Sequence, residues 1–268
     1  MAGLAILAGA GALPVLLSQA RPDAVAVVFD GVSHGLVETV PVLHRFEKLG
    51  EMFDDLRGRG VSQIVMAGSM SRPPLDPTAL DPLMITLAPR LMVAMQGGDD
   101  ALLRLVVDIV EEQGFEVLGA HEVLPELTVG AGHIAGPTPS ERAQADANRG
   151  ADILGALAPV DVGQGCVVAS GLCLGIETLQ GTDFLLDMVA QTPAHLRRAG
   201  GGVFVKAPKR GQDLRVDMPA IGPDTIKRVK AAGLEGLVLK AGQVLILERE
   251  ATLAAAKQAE IFILGQDL

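Results

Sequence analysis

The apolar positions gather first into short, nearly continuous runs, Leu4 to Ala8, Ala24 to Phe29 and Gln63 to Ala67, each closed by turn-forming residues. Such runs predict strands buried on both faces. Helical spacing from Phe46 to Arg57 separates the second run from the third. Another helical stretch, Asp100 to Gln113, leads into a strand at Phe115 to Leu118. Alternation of strand and helix predicts a parallel, doubly wound, Rossmann-like domain over residues 1–131.

The texture changes after Leu127. Gly130, Gly132, Gly136, Pro137 and Pro139 crowd together, which places a linker at 132–139. Ser140 followed by Glu141 then caps a helix running toward Leu157. Paired apolar runs at Gly165 to Ser170 and Leu172 to Ile176 come next, followed by Gly202 to Lys206, Gly236 to Leu239 and Gln243 to Leu247. Their close turns predict a distinct C-terminal α+β domain over 140–268, built from antiparallel hairpins. Two domains suit a chain of 268 residues.

Composition narrows the possible partners. With seven Phe and no Trp or Tyr, aliphatic side chains must fill the core, and base stacking lacks a platform. A formal net charge of -10 argues against nucleic acid, whose phosphates need a basic field. The apolar N-terminus has no Lys or Arg before Arg21 and is interrupted by Gly9, Gly11 and Pro14, so neither a signal peptide nor a spanning helix is expected. A cytoplasmic protein is expected, with Cys166 and Cys173 as buried thiols rather than a disulfide.

The candidate chemistry sits in turns. Gly9-Ala10-Gly11-Ala12-Leu13-Pro14 is a ligand-binding loop at a helix N-terminus, a packing turn, or, with Asp30 after the second strand, a dinucleotide site lacking its third glycine. Gly68 to Pro73, with Arg72, is a second phosphate-compatible turn at the end of a parallel strand. Asp99 or Asp100 either caps the following helix or lines a cleft. Asp161 to Gly165 presents Gln164 from a short turn, and Glu177 to Asp183 offers two carboxylates with Thr182 between strand and helix. The densest polar stretch runs from Lys206 to Thr225. Its Asp213, Asp217 and Asp224 suit Mg²⁺, while Lys206, Lys209 and Arg215 suit phosphoryl oxygens; a solvated loop would look the same. His34, His44, His121, His133 and His195 show no metal-ligand spacing.

At QDLRVDMPAIGPDTI, Gln212 to Ile226, the chain resembles the UDP-2,3-diacylglucosamine pyrophosphatases of bacterial lipid A synthesis. The likeness continues through LAGAGALP, AGS-x-SRP, GDDALLR, DVGQ, GIETLQGTD and AGLEGLVLKAG. The family turn more often reads E-G-T-D, whereas here Gln180 precedes Gly181. The resemblance implies two domains and Mg²⁺-assisted attack of water on the α-phosphorus, giving UMP and 2,3-diacylglucosamine 1-phosphate (lipid X); Mn²⁺ is an alternative metal. Asp224, Asp217 and Asp213 are then the catalytic carboxylates, and Asp217, Asp224, Glu177 and Asp183 the metal ligands. Substrate contacts fall to Gly9, Ala10, Gly11, Leu13, Gly68, Arg72, Asp99, Gln164, Thr182, Lys206, Lys209, Gln212 and Arg215. Phe184, Leu185, Met188 and Phe204 are candidate walls for the acyl chains. A diacylated substrate also implies weak, salt-insensitive contact with the cytoplasmic face of the inner membrane, and a homodimer is expected. The competing readings are a nicotinamide-dependent oxidoreductase and a non-catalytic carrier of lipid or nucleotide.

Overall fold

A computed structural model of the chain describes residues 3–70, 75–97, 99–160, 162–197 and 201–268, apart from the side chains of Asp99 and Asp100. The chain divides into one unit of Met1–Pro125 with Asp213–Asp217 and another of Glu126–Gln212 with Met218–Leu268. The first boundary therefore lies before the expected linker. Residues Gly132–Ala135 are themselves a strand of the second unit. The glycine and proline cluster marked an edge strand and its turn, because Gly136 takes φ +76 and a Cβ there would meet the Ile261 carbonyl oxygen at 2.0 Å.

The first unit runs β1 (Gly3–Ala8), α1 (Leu13–Ala20), β2 (Val25–Phe29), β3 (Val42–His44), α2 (Leu49–Gly58), β4 (Val61–Ala67), α3 (Pro82–Gln96), α4 (Asp99–Glu112), β5 (Glu116–Leu118) and α5 (Ala120–Val123). Its strands form one parallel sheet in the order β3-β2-β1-β4-β5. The direction of chain progression reverses between β1 and β4, as in doubly wound nucleotide-binding sheets. Ala5, Leu7, Val27, Phe29 and Ile64 pack against Met52, Phe53 and Leu56 of α2, and against Met84, Leu105 and Val107 of α3 and α4. The start of α3 is held by buried Asp81, whose Oδ1 accepts from Met84 N at 2.7 Å while its Oδ2 accepts from Gly50 N at 2.6 Å in α2. One carboxylate thus satisfies orphan amides of two helices.

The second unit runs β6 (Gly132–Ala135), α6 (Glu141–Leu157), β7 (Gly165–Ala169), β8 (Leu172–Ile176), α7 (Gly181–Ala190), β9 (Val203–Lys206), β10 (Ala220–Ile221), α8 (Pro223–Ala231), β11 (Gly236–Lys240), β12 (Leu245–Ile246), α9 (Arg249–Gln258) and β13 (Phe262–Gln266). Its main sheet has the order β6-β13-β11-β9-β7-β8. β9, β11 and β13 are parallel, β6 and β7 antiparallel to their neighbours. Ala143 and Ala147 of α6 cover one face, and residues of α7, α8 and α9 cover the other. Ser140 caps α6 by accepting from Ala143 N at 3.1 Å.

The β7–β8 hairpin forms as expected, but the later runs at 236–239 and 243–247 form no hairpin with each other. Both edges of β11 are occupied, by β9 and β13, and β12 pairs in parallel with β10 instead. The turn at Ala241 and Gly242 shows that the chain reverses, and says nothing of which strand edge is open. The C-terminal domain is accordingly α+β with a mixed sheet, in which β9, β11 and β13 run parallel at the centre and the pairings at both ends are antiparallel, rather than a set of hairpins throughout.

Candidate functional site

In the first unit the two glycine loops meet at the β1/β4 switch point. Ala10 and Ser69 form an antiparallel bridge, Ala10 N donating to the Ser69 carbonyl at 2.8 Å and Ser69 N to the Ala10 carbonyl at 3.1 Å. Gly9 N donates to the Ala67 carbonyl at 2.8 Å. A Cβ on Gly9 would lie 2.4 Å from the Ser69 oxygen, and one on Gly68, at φ +86, 2.4 Å from the Ala10 oxygen. Gly9, Ala10 and Gly68 therefore bring the loops together, and the Gly9 and Ala10 amides expected to meet a ligand serve the fold. That pairing does not use the amides that open α1, where Ala12 has no side-chain cap and Leu13 is the first helical residue. Gly11 has φ +99 and open space where a Cβ would be. Arg72 lies outside the described residues, as does the side chain of Asp99.

Asp213–Asp217 belongs to the same unit. Arg215 donates to Asp213 from Nε at 2.9 Å and from Nη2 at 2.7 Å, and to Glu111 of α4 from Nη1 at 2.7 Å. The Cα of Arg215 lies 3.3 Å from where a Cβ on Gly119 would stand, and Val216 packs on the core. The guanidinium hydrogen bonds hold the Asp213 carboxyl below the ordinary carboxylate range, and the same bonds raise Arg215. Asp213 and Arg215 thus neutralise each other and anchor the segment. Asp213, expected as a catalytic carboxylate, and Arg215, expected as a substrate contact, are each engaged by the other in this structure. Asp217 closes the turn by donating its amide to the Asp213 carbonyl at 3.0 Å.

In the second unit, pieces far apart in sequence converge on Lys206 at the end of β9. Its Nζ donates to Glu177 Oε2 at 3.1 Å and to Thr182 Oγ1 at 2.6 Å, and Thr182 Oγ1 donates to the same Glu177 oxygen at 2.9 Å. Lys206 is 3% exposed and Glu177 8%. Two glycines make the room. A Cβ on Gly165 would lie 2.7 Å from Glu177 Oε2, and one on Gly163, at φ +64, 2.0 Å from the Glu177 carbonyl oxygen. Gln164, between them, accepts at its carbonyl from Ala207 N at 2.9 Å. Lys209 N donates to Gln212 Oε1 at 2.9 Å, closing the loop after β9. The parts played by Gly163 and Gly165 were not foreseen; their spacing about Gln164 was the available signal.

The remaining carboxylates lie elsewhere on this unit. Gly222, not Asp224, is the N-cap of α8, with Thr225 Oγ1 accepting from Gly222 N at 3.2 Å. Asp224 sits in the first turn with its side chain 81% exposed, 2.7 Å from Lys227 Nζ, whose hydrogen bond lowers its pKa. Asp183, 62% exposed, faces Arg228 at 3.4 Å. Leu185 and Phe204, expected as acyl-chain walls, are buried in the core; only Phe184 and Met188 are exposed.

Among the described residues no three of His, Cys, Asp and Glu lie together so as to hold a metal ion. The four ligands expected, Asp217, Asp224, Glu177 and Asp183, are not gathered into a cage, because cations of the chain already stand beside three of them. Glu177 is committed to a buried pair and does not fit a ligand's part. Asp224 and Asp183 do fit, since exposed ion pairs exchange at little cost and Mg²⁺ commonly takes one or two carboxylates together with substrate phosphate oxygens and water.

Two family models match the chain, the LpxI N-terminal domain over residues 3–127 and the LpxI C-terminal domain over residues 130–264. The chain is also 38% identical to the UDP-2,3-diacylglucosamine pyrophosphatase LpxI of Caulobacter vibrioides, an alignment that covers 100% of this chain and 98% of that protein.

Proposed function

Because the chain belongs to the LpxI family, we propose that it is a pyrophosphatase that hydrolyses UDP-2,3-diacylglucosamine to UMP and 2,3-diacylglucosamine 1-phosphate. The observation that carries this reading is the similarity along the entire chain to a protein of that activity. The nicotinamide-dependent and carrier alternatives have no comparable support.

In this reading water attacks the α-phosphorus, the bond from that phosphorus to the bridging oxygen breaks, and the oxygen leaves with the acylated sugar phosphate. Asp224 and Asp217 are the carboxylates assigned to catalysis, as base for the attacking water or as metal ligands, with Asp183 a further ligand. Mg²⁺, or Mn²⁺ in its place, would neutralise phosphate charge when bound. Lys206, Thr182 and Gln164 are assigned to substrate in the second unit, as is the loop of Lys209 and Gln212. In the first unit the switch-point surface at Gly11 and Leu13 lies where doubly wound sheets take nucleotides.

Purified protein incubated with UDP-2,3-diacylglucosamine, Mg²⁺ and ¹⁸O-labelled water is expected to release UMP carrying the label. Label in the sugar phosphate would move the attack to the other phosphorus, and no UMP at all would end the reading. EDTA should abolish turnover; undiminished turnover in EDTA would remove the metal. No helix among the described residues is long and apolar enough to cross a membrane. We assign the protein to weak, peripheral contact with the cytoplasmic face of the inner membrane, since its substrate is diacylated. Flotation with lipid vesicles should show binding that persists at high salt, and exclusive recovery in the soluble fraction would count against it.

A further inference from the structure

We infer that Glu177 and Thr182 are positioning residues that aim the Lys206 ammonium at a phosphoryl oxygen of the substrate, an inference that rests on the reaction just assigned. An ammonium carries three N–H donors. Among the described residues those of Lys206 find two acceptors, Glu177 Oε2 at 3.1 Å and Thr182 Oγ1 at 2.6 Å. Thr182 in turn donates to the same Glu177 oxygen, so the three groups form a closed triangle that fixes the direction of the third donor.

Burying a lysine to this depth is costly unless its charge is paired and its donors are used. A site that needed only a filled core would place an apolar side chain at the end of β9. Here Gly163 and Gly165 instead leave the space that Glu177 occupies. Thr182 stands in the first turn of α7, whose opening amides lack a side-chain cap and favour negative charge. The remaining donor of Lys206 is matched by an anionic oxygen, and a substrate diphosphate supplies it. Glu177 accordingly acts through Lys206 and not through a metal.

The double variant Glu177→Gln/Lys206→Met tests this directly. It removes both charges at nearly constant volume, so a purely structural pair could be replaced with little loss of fold. With folding checked by circular dichroism and thermal melting, kcat/KM for UDP-2,3-diacylglucosamine is expected to fall on the order of 10²-fold or more. Calorimetric affinity for inorganic pyrophosphate should fall by roughly tenfold or more, as for a lost charged contact. A folded double variant with wild-type turnover and pyrophosphate affinity would overturn the inference. Should the double variant not fold, Thr182→Val and Thr182→Ser decide the matter. Serine keeps the hydroxyl and should retain most activity where valine loses it, whereas equal activity in both would overturn the assignment. Wild-type protein that binds pyrophosphate through Lys206 but releases no UMP would sink the assigned reaction and leave the anion site standing.

Discussion

At the scale of single residues, exposure separates carboxylates that spacing alone made equivalent. Asp224 is solvated and paired with Lys227, an exposed ion pair that exchanges at little cost, while Asp213 is part-buried and held by Arg215. Asp224→Asn removes the charge yet leaves the Gly222 and Thr225 cap of α8 intact. Turnover at saturating Mg²⁺ is expected to drop on the order of 10²-fold with an unchanged melting curve; a folded variant with wild-type turnover would shift the assignment to Asp217. The cysteines make a second case. Burial pushes the Cys166 thiol up to about 12, helped by Cys173, while Cys173, also expected to be buried, is exposed on the edge strand β8. Native protein at pH 8 should therefore present one thiol to a disulfide reagent and denatured protein two. Above about pH 9 the unfolded chain ionises this thiol and the folded chain does not, so stability should decline by about 1.4 kcal/mol per pH unit toward pH 12. Urea melts at pH 8 and pH 10.5 on wild type and Cys166→Ala would measure that contribution as the difference between their slopes, and equal slopes would rule it out.

At the scale of elements, what was legible depended on whether the partner was local. The strands at Leu4–Ala8 and Gln63–Ala67 and the Ser140 cap of α6 are written in short stretches, and they form where expected. Helix α3 was not anticipated. Its apolar residues follow no clear face, Pro89 interrupts it, and its start depends on Asp81 shared with α2. The glycine loops show the same limit. Sequence placed Gly9 and Gly68 in turns, but only pairing of the loops showed that each glycine is pressed against the other's chain. Gly68→Ala combines a positive φ with a Cβ 2.4 Å from the Ala10 oxygen. It should cost on the order of 2–4 kcal/mol in urea melts, against roughly 1 kcal/mol for Gly60→Ala, where φ is +75 and the space is open. Equal losses would mean that the loops can separate freely.

At the scale of the whole molecule, the chain enters the first unit twice. A fragment of residues 1–125 would lack Val216, which packs on its core, and the Arg215 bond to Glu111. It should unfold at lower urea than the first unit of the intact protein, by on the order of 1–3 kcal/mol. Equal midpoints would mean that residues 213–217 contribute nothing to that core. The α/β class, the two-part division, the parallel first sheet and the family are legible in the chain alone, because strand runs, helix spacing and contiguous motifs are all local signals. The sequence could not determine that β11 lies between β9 and β13, that Asp213 and Arg215 belong to the first unit, or that Glu177 serves Lys206. Those outcomes depend on which buried edges and charges meet after the chain has crossed tens of residues, and a buried strand or a buried lysine accepts whichever partner the packed core delivers.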